Sequence, residues 1–322
     1  MSIKDDVLSR LLQAEQALSG NALARDLGVS RTAVWKAIEQ LRSEGYCIDA
    51  ATNRGYRISS GPEAFTLPEI RRYLQPGPIG ETMEMHSELV STNIRAKELA
   101  MAGAAHGTAV IARQQSGGRG RFGRSFFSPE GSGVYISIIL RPQLPAQQAV
   151  LITSMSAIAV ARAIERVSGL RAGIKWVNDV YLGNKKTCGI LCEAGLDFES
   201  GQMEYVVAGI GVNVGWMEFP AELEKIATSV SNACGQAISR SRFCAELINE
   251  MNALYPQLES KAFMQESRDR SIVIGREVTV IKGEQRYSAT AVDIDDAGSL
   301  VVRTADGALE KLHSGEISVR LN

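Results

Sequence analysis

Apolar side chains repeat at helical spacing through the first part of the chain. The repeat between residues 4 and 15 predicts one helix. A second repeat covers 21–27 and a third covers 31–44, with Gly28 supplying a tight turn between them and Ser30 placed to cap the third. Helix, turn and helix in this order predict a helix-turn-helix motif.

An alternation of apolar and polar residues follows from 46 to 58, and it contains the turn sequence Asn53-Arg54-Gly55. Alternation of this kind around a turn predicts a β-hairpin. We interpret the hairpin as the wing of a winged helix-turn-helix domain over residues 1–62.

On the second helix of the helix-turn-helix motif, the residues predicted to face outward are of the types that contact bases in DNA grooves. Residues 1–60 hold eight Lys/Arg and seven Asp/Glu, a net charge of +1, so their total charge does not by itself favour DNA. The acidic residues lie mainly on the helix predicted over 4–15 and at the ends of segments, however. The basic ones follow the helix predicted over 31–44 and the wing. We therefore predict contact with operator DNA, and a protein-interaction module stays open as the alternative. The predicted motif runs from Gly20 to Glu39, and its predicted contacts are Arg31, Thr32, Trp35 and Lys36.

The middle of the chain mixes helical and strand periods. After the Pro- and Gly-rich stretch 75–80, apolar runs alternate between the two spacings, which predicts a mixed-sheet α/β domain over residues 63–270. The predicted helices are 93–102, 147–167 and a largely helical stretch at 221–265, and the predicted strands are 108–113, 133–140, 171–176, 188–194 and 204–210.

From Ser271 onward, short β runs are separated by turn residues such as Lys282-Gly283 and the stretch 295–298. This spacing predicts a small β-barrel over residues 271–322. The predicted fold class is therefore α+β in three domains.

The composition is that of a folded chain whose positive and negative charges nearly cancel. The chain has 322 residues, of which 45% are apolar, and 35 basic residues stand against 36 acidic ones. No stretch has the length and apolar character of a secretion signal or a membrane span, so we expect a cytoplasmic protein with no membrane partner. The five cysteines, at positions 47, 188, 192, 234 and 244, have no CxxC or zinc-ligand spacing, and we expect reduced thiols and no metal site built by the protein alone.

The most informative motif is 117–124, which reads Gly-Gly-Arg-Gly-Arg-Phe-Gly-Arg. Glycine permits close backbone approach, and arginine keeps its charge and offers planar donors to a carboxylate or a phosphate. The motif therefore predicts an anion-binding loop, with a solvated basic loop as the alternative. It also has the glycine spacing of dinucleotide folds, but turn residues and the strand 133–140 follow it in place of the helix that such folds require.

Four more polar clusters lie in the same domain. Ser91-Thr92-Asn93 precedes a helix, and the stretch 175–179 ends a strand with a cation, an aromatic ring, an amide and a carboxylate. Lys186 leads into a buried strand, and 209–213 ends another strand with two glycines and an amide. Taken singly, these clusters have structural alternatives: a helix cap, a core tryptophan and a surface lysine.

In their order and spacing, the clusters resemble those of the biotin protein ligases over essentially the full chain. The Gly/Arg motif is the most specific part of the resemblance, and Lys175-Trp176-Val177-Asn178-Asp179 is the second. With the winged helix at the N-terminus, the chain resembles the bifunctional members that are also biotin-operon repressors. The resemblance implies ATP-dependent activation of biotin to biotinyl-5′-adenylate, transfer of biotin to a lysine of biotin carboxyl carrier protein, and biotin-responsive repression of biotin genes.

The resemblance also implies a role for each matching position. Two departures are noted: Val177 replaces a commonly seen proline, and Phe126 stands where some members carry a tryptophan that packs on the adenylate. Biotin is expected at Ser91, Thr92, Asn93, Gln115, Arg119, Gly120, Arg121 and Lys186; the nucleotide at Phe126, Asn178 and Asn213; and catalysis at Arg119, Arg121, Lys175, Lys186 and Asp179.

In this chemistry a carboxylate attacks a triphosphate, so cationic side chains and a Mg²⁺ carried with ATP are expected to offset the repulsion between two anions. Closure of the Gly/Arg loop over the adenylate is expected to exclude water and to favour a homodimer that binds operator DNA. Two alternatives stay open: a ligand-sensing repressor without catalysis, and a ligase for lipoate.

Overall fold

The computed structural model describes residues 2–14, 16–43, 46–51, 55–60, 65–145, 148–196, 203–282, 285–313 and 316–319. The chain divides into two compact units, 1–74 and 75–322. The domain limits at 62/63 and 270/271 stay predictions. Among the described residues, no helix combines the length and the apolar character that crossing a membrane requires.

The first unit is a winged helix-turn-helix, as predicted. Ser19 Oγ accepts a hydrogen bond from Ala22 N at 3.1 Å and Ser30 Oγ accepts one from Ala33 N at 3.1 Å, so each serine caps the helix that follows it. The wing strands pair antiparallel. Of the predicted turn, Asn53 and Arg54 lie outside the described residues, as does Gly45, which is expected to end the helix predicted over 31–44. The elements of this unit are α1 (Ile3–Gln13), α2 (Gly20–Asp26), α3 (Arg31–Ser43), β1 (Cys47–Ala51), β2 (Gly55–Ser60) and α4 (Leu67–Tyr73).

The core of this unit is the apolar stripe that the helical repeats predict. Val7, Leu23 and Ile38, from α1, α2 and α3, are buried together with Ile48 of the wing. The repeats therefore predict the correct faces. Helix α4 was not predicted, although the side chain of Thr66 accepts a hydrogen bond from Glu69 N and caps it.

The second unit is built on a seven-stranded mixed sheet in the order β3-β4-β5-β9-β8-β7-β6. Only β3 and β4 pair parallel, and the other neighbours are antiparallel. The predicted α/β domain with a mixed sheet is confirmed, although β3 and β7 were missed. The strands are β3 (Met83–Leu89), β4 (Ala109–Gln115), β5 (Gly133–Leu140), β6 (Gly173–Lys175), β7 (Asp179–Leu182), β8 (Lys185–Leu196) and β9 (Met203–Asn213), and the helices are α5 (Thr92–Met101), α6 (Ala149–Ser168), α7 (Ala221–Glu224), α8 (Val230–Cys234), α9 (Arg240–Leu254) and α10 (Met264–Asp269).

Helices cover the two faces of this sheet, because neighbouring strand residues point to opposite sides. On β9, Gly209 faces Asn93 of α5. Its neighbour Ala208 pairs with Cys192, which bonds Thr153 of α6. Helix α5 therefore lies on the face of Gly209 and α6 on the opposite face, where α9 packs against α6.

The last strands form a small antiparallel sheet in the order β13-β12-β11-β10-β14. Within the described residues no ladder joins β13 to β14, so the closed barrel stays a prediction. A turn of this sheet reaches the α/β domain, since Trp176 Nε1 donates to Gly298 O at 2.9 Å. The strands are β10 (Glu277–Lys282), β11 (Gln285–Ile294), β12 (Leu300–Thr304), β13 (Leu309–Leu312) and β14 (Glu316–Val319).

Candidate active site

A cleft of about 150 Å³ opens on the α5 face of the large sheet. Twelve of the thirteen residues assigned to ligand binding or catalysis from the sequence line this single cleft, although the chain separates the first from the last by nearly a hundred positions. Those twelve are Ser91, Thr92, Asn93, Gln115, Arg119, Gly120, Arg121, Phe126, Lys175, Asn178, Asp179 and Lys186.

The Gly/Arg loop forms a hairpin at the mouth of the cleft. Gly120 N donates to Arg124 O at 2.7 Å, and Phe126 N donates to Gly118 O at 2.9 Å. Position 118 requires glycine, because a Cβ there would lie 2.5 Å from Phe126 O. The turn of the hairpin places Phe122 in the left-handed region, with φ 57°.

Arginines of this hairpin turn toward the rest of the cleft. Arg121 Nη1 donates to Asn178 Oδ1 at 3.1 Å, and its guanidinium carbon lies 5.0 Å from the ring centre of Phe122. Arg119 is exposed. The loop therefore presents cationic groups at the edge of the cleft.

The wall beneath α5 is a network of neutral polar groups. Gln115 Oε1 accepts from Thr92 N at 2.9 Å, and Gln115 Nε2 donates to Ser128 Oγ at 3.1 Å. The fully buried Ser137 hydroxyl lies 2.7 Å from Thr92 Oγ1 and 2.6 Å from Asn93 Oδ1. These bonds hold the side chains of Thr92, Asn93 and Gln115 in place before any ligand arrives.

An ion pair forms the opposite wall. Lys186 Nζ lies 2.7 Å from Asp179 Oδ1, and the two side chains are 33% and 19% exposed. The segment 226–228 holds the backbone of Lys186 on both sides: Lys186 N donates to Ile226 O at 2.8 Å, and Thr228 N donates to Lys186 O at 2.9 Å. The cation and the carboxylate are thus both fixed at the cleft.

Phe126 lies on the floor of the cleft over two glycines of neighbouring strands. A Cβ at Gly211 would lie 2.6 Å from Phe126 Cε1, and one at Gly189 would lie 3.3 Å from Cε2. Glycine at both positions therefore makes room for the ring, which leaves an aromatic face in the cleft suited to stacking.

Asn213 is the one assigned ligand residue that is not among the residues lining the cleft. Its side chain is buried, and Nδ2 donates to Thr228 O at 3.3 Å. Its role with nucleotide stays a prediction.

Several lining residues were not assigned to the site from the sequence. Arg124 stands inside the Gly/Arg motif and could have been included, and glycines inside strands are themselves a signal of close approach. Ile317 comes from the last strand and carries no local signal. The unassigned residues are Phe122, Arg124, Ser125, Trp176, Gly189, Ile190, Leu191, Gly209, Ile210, Gly211 and Ile317.

The cysteines near this sheet are poor nucleophiles. Burial raises the pKa of the Cys192 thiol to about 11 and that of Cys188 further, so both stay protonated at neutral pH. In the part of the chain that the structure describes, no group of three or more His, Cys, Asp or Glu side chains is placed to hold a metal ion.

The predicted DNA-reading residues lie on α3 of the first unit. Arg31, Thr32 and Trp35 line a shallow depression with Tyr56 of the wing, and Trp35 is 53% exposed. Arg42, which the sequence groups with the basic residues of this helix, is engaged elsewhere: its guanidinium donates to Ile48 O and pairs with Glu39 at 2.7 Å. It ties the helix to the wing instead of facing outward with the others.

Three family models match the chain, one for each predicted part. An HTH domain matches residues 4–57, the Biotin/lipoate A/B protein ligase family matches 87–213, and the Biotin protein ligase C terminal domain matches 273–320.

Curated relatives match nearly the full length. The bifunctional ligase/repressor BirA of Bacillus subtilis is 36% identical and covers 99% of each chain. The protein of the same name from Escherichia coli is 28% identical over 97% of this chain and 96% of its own. Among solved structures, a biotin protein ligase from Aquifex aeolicus in complex with biotin and ATP superposes with a TM-score of 0.64 at 27% identity, over 74% of this chain and 99% of that one. This chain belongs to the family of bifunctional biotin protein ligase/repressors.

Proposed function

We propose that this chain joins biotin to ATP, forming biotinyl-5′-adenylate and pyrophosphate, and then transfers biotin to a lysine of biotin carboxyl carrier protein. The observation that carries the proposal is the cleft itself. The cleft combines fixed neutral polar groups, an aromatic face and a hairpin of arginines, which suit a ureido ring, a purine and two acids respectively.

In the first step, an oxygen of the biotin carboxylate attacks the α-phosphorus of ATP, and the bond from that phosphorus to the bridging oxygen of pyrophosphate breaks. Two anions must meet within bonding distance, where their repulsion is strongest if water is excluded. Arg119 and Arg121 at the mouth and Lys186 on the opposite wall offset this repulsion, and Lys175 meets the phosphates. Catalysis of this kind depends on positioning and charge rather than on a covalent enzyme intermediate.

Mg²⁺ arrives with ATP as part of the substrate. The carboxylate of Asp179 is the acidic side chain among the described residues lining the cleft, and it is paired with Lys186. This donor set does not make a metal cage, and Mg²⁺ prefers to keep several waters and bind through phosphates.

In the second step, the neutral amine of the acceptor lysine attacks the acyl carbon. The bond from that carbon to the phosphate oxygen breaks, and AMP leaves with the electron pair of this bond. Asp179 orients the amine or accepts its proton, since it contributes a carboxylate to the lining of the cleft. Lys186, which holds Asp179 in place, also faces the carboxylate of biotin. The Gly/Arg hairpin closes over the adenylate and keeps water from hydrolysing it.

Ligand binding is coupled to repression by dimer formation. If the adenylate orders a surface that the dimer buries, the adenylate and the second subunit must favour each other's binding. A dimer presents two copies of α3, with Arg31, Thr32, Trp35 and Lys36 toward the major groove of a two-fold symmetric operator. Analytical ultracentrifugation should detect stronger association with biotin plus ATP, and equal association in both conditions would contradict the mechanism.

Two reactions run side by side separate the proposed activity from its alternatives. The purified chain is incubated with labelled biotin, ATP and a biotin carboxyl carrier domain, and a parallel reaction measures pyrophosphate exchange with biotin and lipoate in competition. The proposal expects labelled carrier and exchange that depends on biotin. A ligand-sensing repressor without catalysis labels nothing, and a lipoate ligase exchanges with lipoate in preference to biotin.

A further inference from the structure

The orientation of the Asn93 amide is determined by its neighbours. Its Nδ2 lies 3.1 Å from Leu191 O and 2.8 Å from Glu193 Oε2. Neither a carbonyl nor an ionised carboxylate can donate a hydrogen bond, so the atom that faces both must be the nitrogen. The oxygen of the amide therefore points the other way.

That oxygen lies on the side of Gly209, which lines the cleft. Oδ1 lies 2.6 Å from the Ser137 hydroxyl and sits directly over Gly209, where a Cβ would be only 1.9 Å away. Gly209 and Asn93 both line the cleft. A carbonyl oxygen has two lone pairs, so Oδ1 can accept one bond from Ser137 and a second from a ligand.

Glu193 lies just beyond the lining residues and is itself held by α5. Its Oε1 lies 2.7 Å from Lys97 Nζ, while its Oε2 takes the bond from Asn93. Lys97 stands one helical turn after Asn93, so the carboxylate bridges two side chains of the same helix face. Burial raises the pKa of the Glu193 carboxyl, but the hydrogen bonds from Lys97 and Asn93 outweigh burial and leave that pKa below its ordinary value.

We propose that Glu193, oriented by Lys97, is a positioning residue for ligand specificity: it holds the Asn93 amide so that the cleft offers an acceptor to an N–H of the ligand. The inference rests on the proposed function, since it assigns this acceptor to a ureido N–H of biotin. A lipoyl dithiolane has no N–H and cannot use it. A site built to bond an N–H rejects a ligand that lacks one more strongly than an apolar pocket does.

The substitution Glu193→Gln tests the orientation without changing shape. Lys97 can only donate, so it attracts the amide oxygen of the new side chain and turns the new NH₂ toward Asn93. The new NH₂ opposes the Asn93 nitrogen, so of the two acceptors that fix this nitrogen Leu191 O alone is left. The flipped amide, which presents its NH₂ to the cleft and opposes the ligand N–H, then becomes competitive. We expect KM for biotin to rise about tenfold, the loss of roughly one hydrogen bond, with KM for ATP and kcat nearly unchanged.

A second substitution distinguishes orientation from simple damage. Lys97→Met added to Glu193→Gln frees the new amide to turn its oxygen back to Asn93, so KM for biotin should return to within about threefold of the parent value. Lys97→Met alone keeps a carboxylate at 193 and should change KM less than Glu193→Gln does. Glu98→Gln removes an exposed carboxylate of the same helix that pairs with Arg95, and it serves as the matched control.

Biotin analogues test the same hydrogen bond from the side of the ligand. Biotins methylated at one or the other ureido nitrogen are compared with biotin in pyrophosphate exchange, using the full-length chain and Glu193→Gln. For the analogue that lacks the relevant N–H, the two proteins should differ by less than twofold. An unchanged KM for biotin in Glu193→Gln, an absence of rescue by Lys97→Met, or an equal penalty for biotin and both analogues would each overturn the inference. If the parent chain makes no biotinyl-adenylate, the proposed function itself has failed.

Discussion

Replacing Gly211 with alanine puts a methyl group where the Phe126 ring now lies. The added carbon would stand 2.6 Å from Cε1, 3.0 Å from Cδ1 and 3.1 Å from Cζ of that ring. Gly211 belongs to β9, which is paired on both sides by β5 and β8. The strand is held by two ladders, so the ring has to move.

The size of the movement follows from ordinary contact distances. Non-bonded carbons settle at about 3.5–4.0 Å, so the ring must shift by roughly 1 Å. A misplacement of about 1 Å at a positioning group can lower a rate about a hundredfold. The corresponding methyl at Gly189 would lie 3.3 Å from the ring and requires a shift of only a few tenths of an ångström, so Gly189→Ala should lose no more than a few-fold.

Stability should move in a different way from activity. Alanine in a strand interior is favoured over glycine by roughly 0.5–1 kcal/mol, which counters the strain of moving a ring that is not fully buried. We therefore expect Gly211→Ala to change the free energy of unfolding by less than about 1 kcal/mol while biotin-dependent pyrophosphate exchange falls steeply.

The assay is exchange at varied ATP and varied biotin, beside urea unfolding of the same samples. The loss should appear in kcat/KM for ATP, and Phe126→Ala combined with Gly211→Ala should be no worse than Phe126→Ala alone, because the clash then has no partner. If Gly211→Ala and Gly189→Ala lose activity equally, or if the double variant is worse than Phe126→Ala, displacement of the Phe126 ring does not cause the loss of activity in Gly211→Ala.

Three further changes test other parts of the molecule. Arg162→Met should lower the free energy of unfolding by about 2 kcal/mol. This is less than the roughly 3–5 kcal/mol lost when a buried charge is left with no partner, because Glu250 and Glu266 each keep another arginine. A change below about 0.5 kcal/mol in urea unfolding would contradict this. Trp35→Ala should weaken binding to duplexes selected from a random pool by the parent chain and leave carrier labelling intact, whereas unchanged affinity would remove this exposed ring from the interface. Asp179→Asn should slow transfer from preformed adenylate, and a variant slow only in forming adenylate would show that the assignment is wrong.

The helix-turn-helix illustrates what a sequence can predict. Leu23 and Ile38 are apolar at helical spacing and are buried, and Ser30 caps α3 as expected. These features depend on neighbours a few positions away, so the local pattern contains them. Arg42 has a basic side chain on the same helix, but its bonds to Ile48 O depend on the path of the wing, which the helical repeat does not contain.

For the cleft, too, some features could be predicted from the sequence and others could not. The Gly/Arg motif and the cluster around Lys175 could be recognised as residues suited to anions, because charge, donor geometry and backbone freedom are properties of residue types. Short strands such as β7, with four residues, carry too little alternation to be identified, and the edge strand β3 was missed for lack of a clear period.

Sequence alone thus determined which side chains could bind two acids, and that a helix-turn-helix precedes them, since both follow from residue chemistry and short-range spacing. Only the tertiary structure decided which groups meet. The pairing of β8 with β9 brings Gly189 and Gly211 under one ring, and the docking of α5 on the sheet turns Asn93 toward Glu193 a hundred residues away. Such contacts depend on register and packing across the sheet, where positions distant along the chain become neighbours.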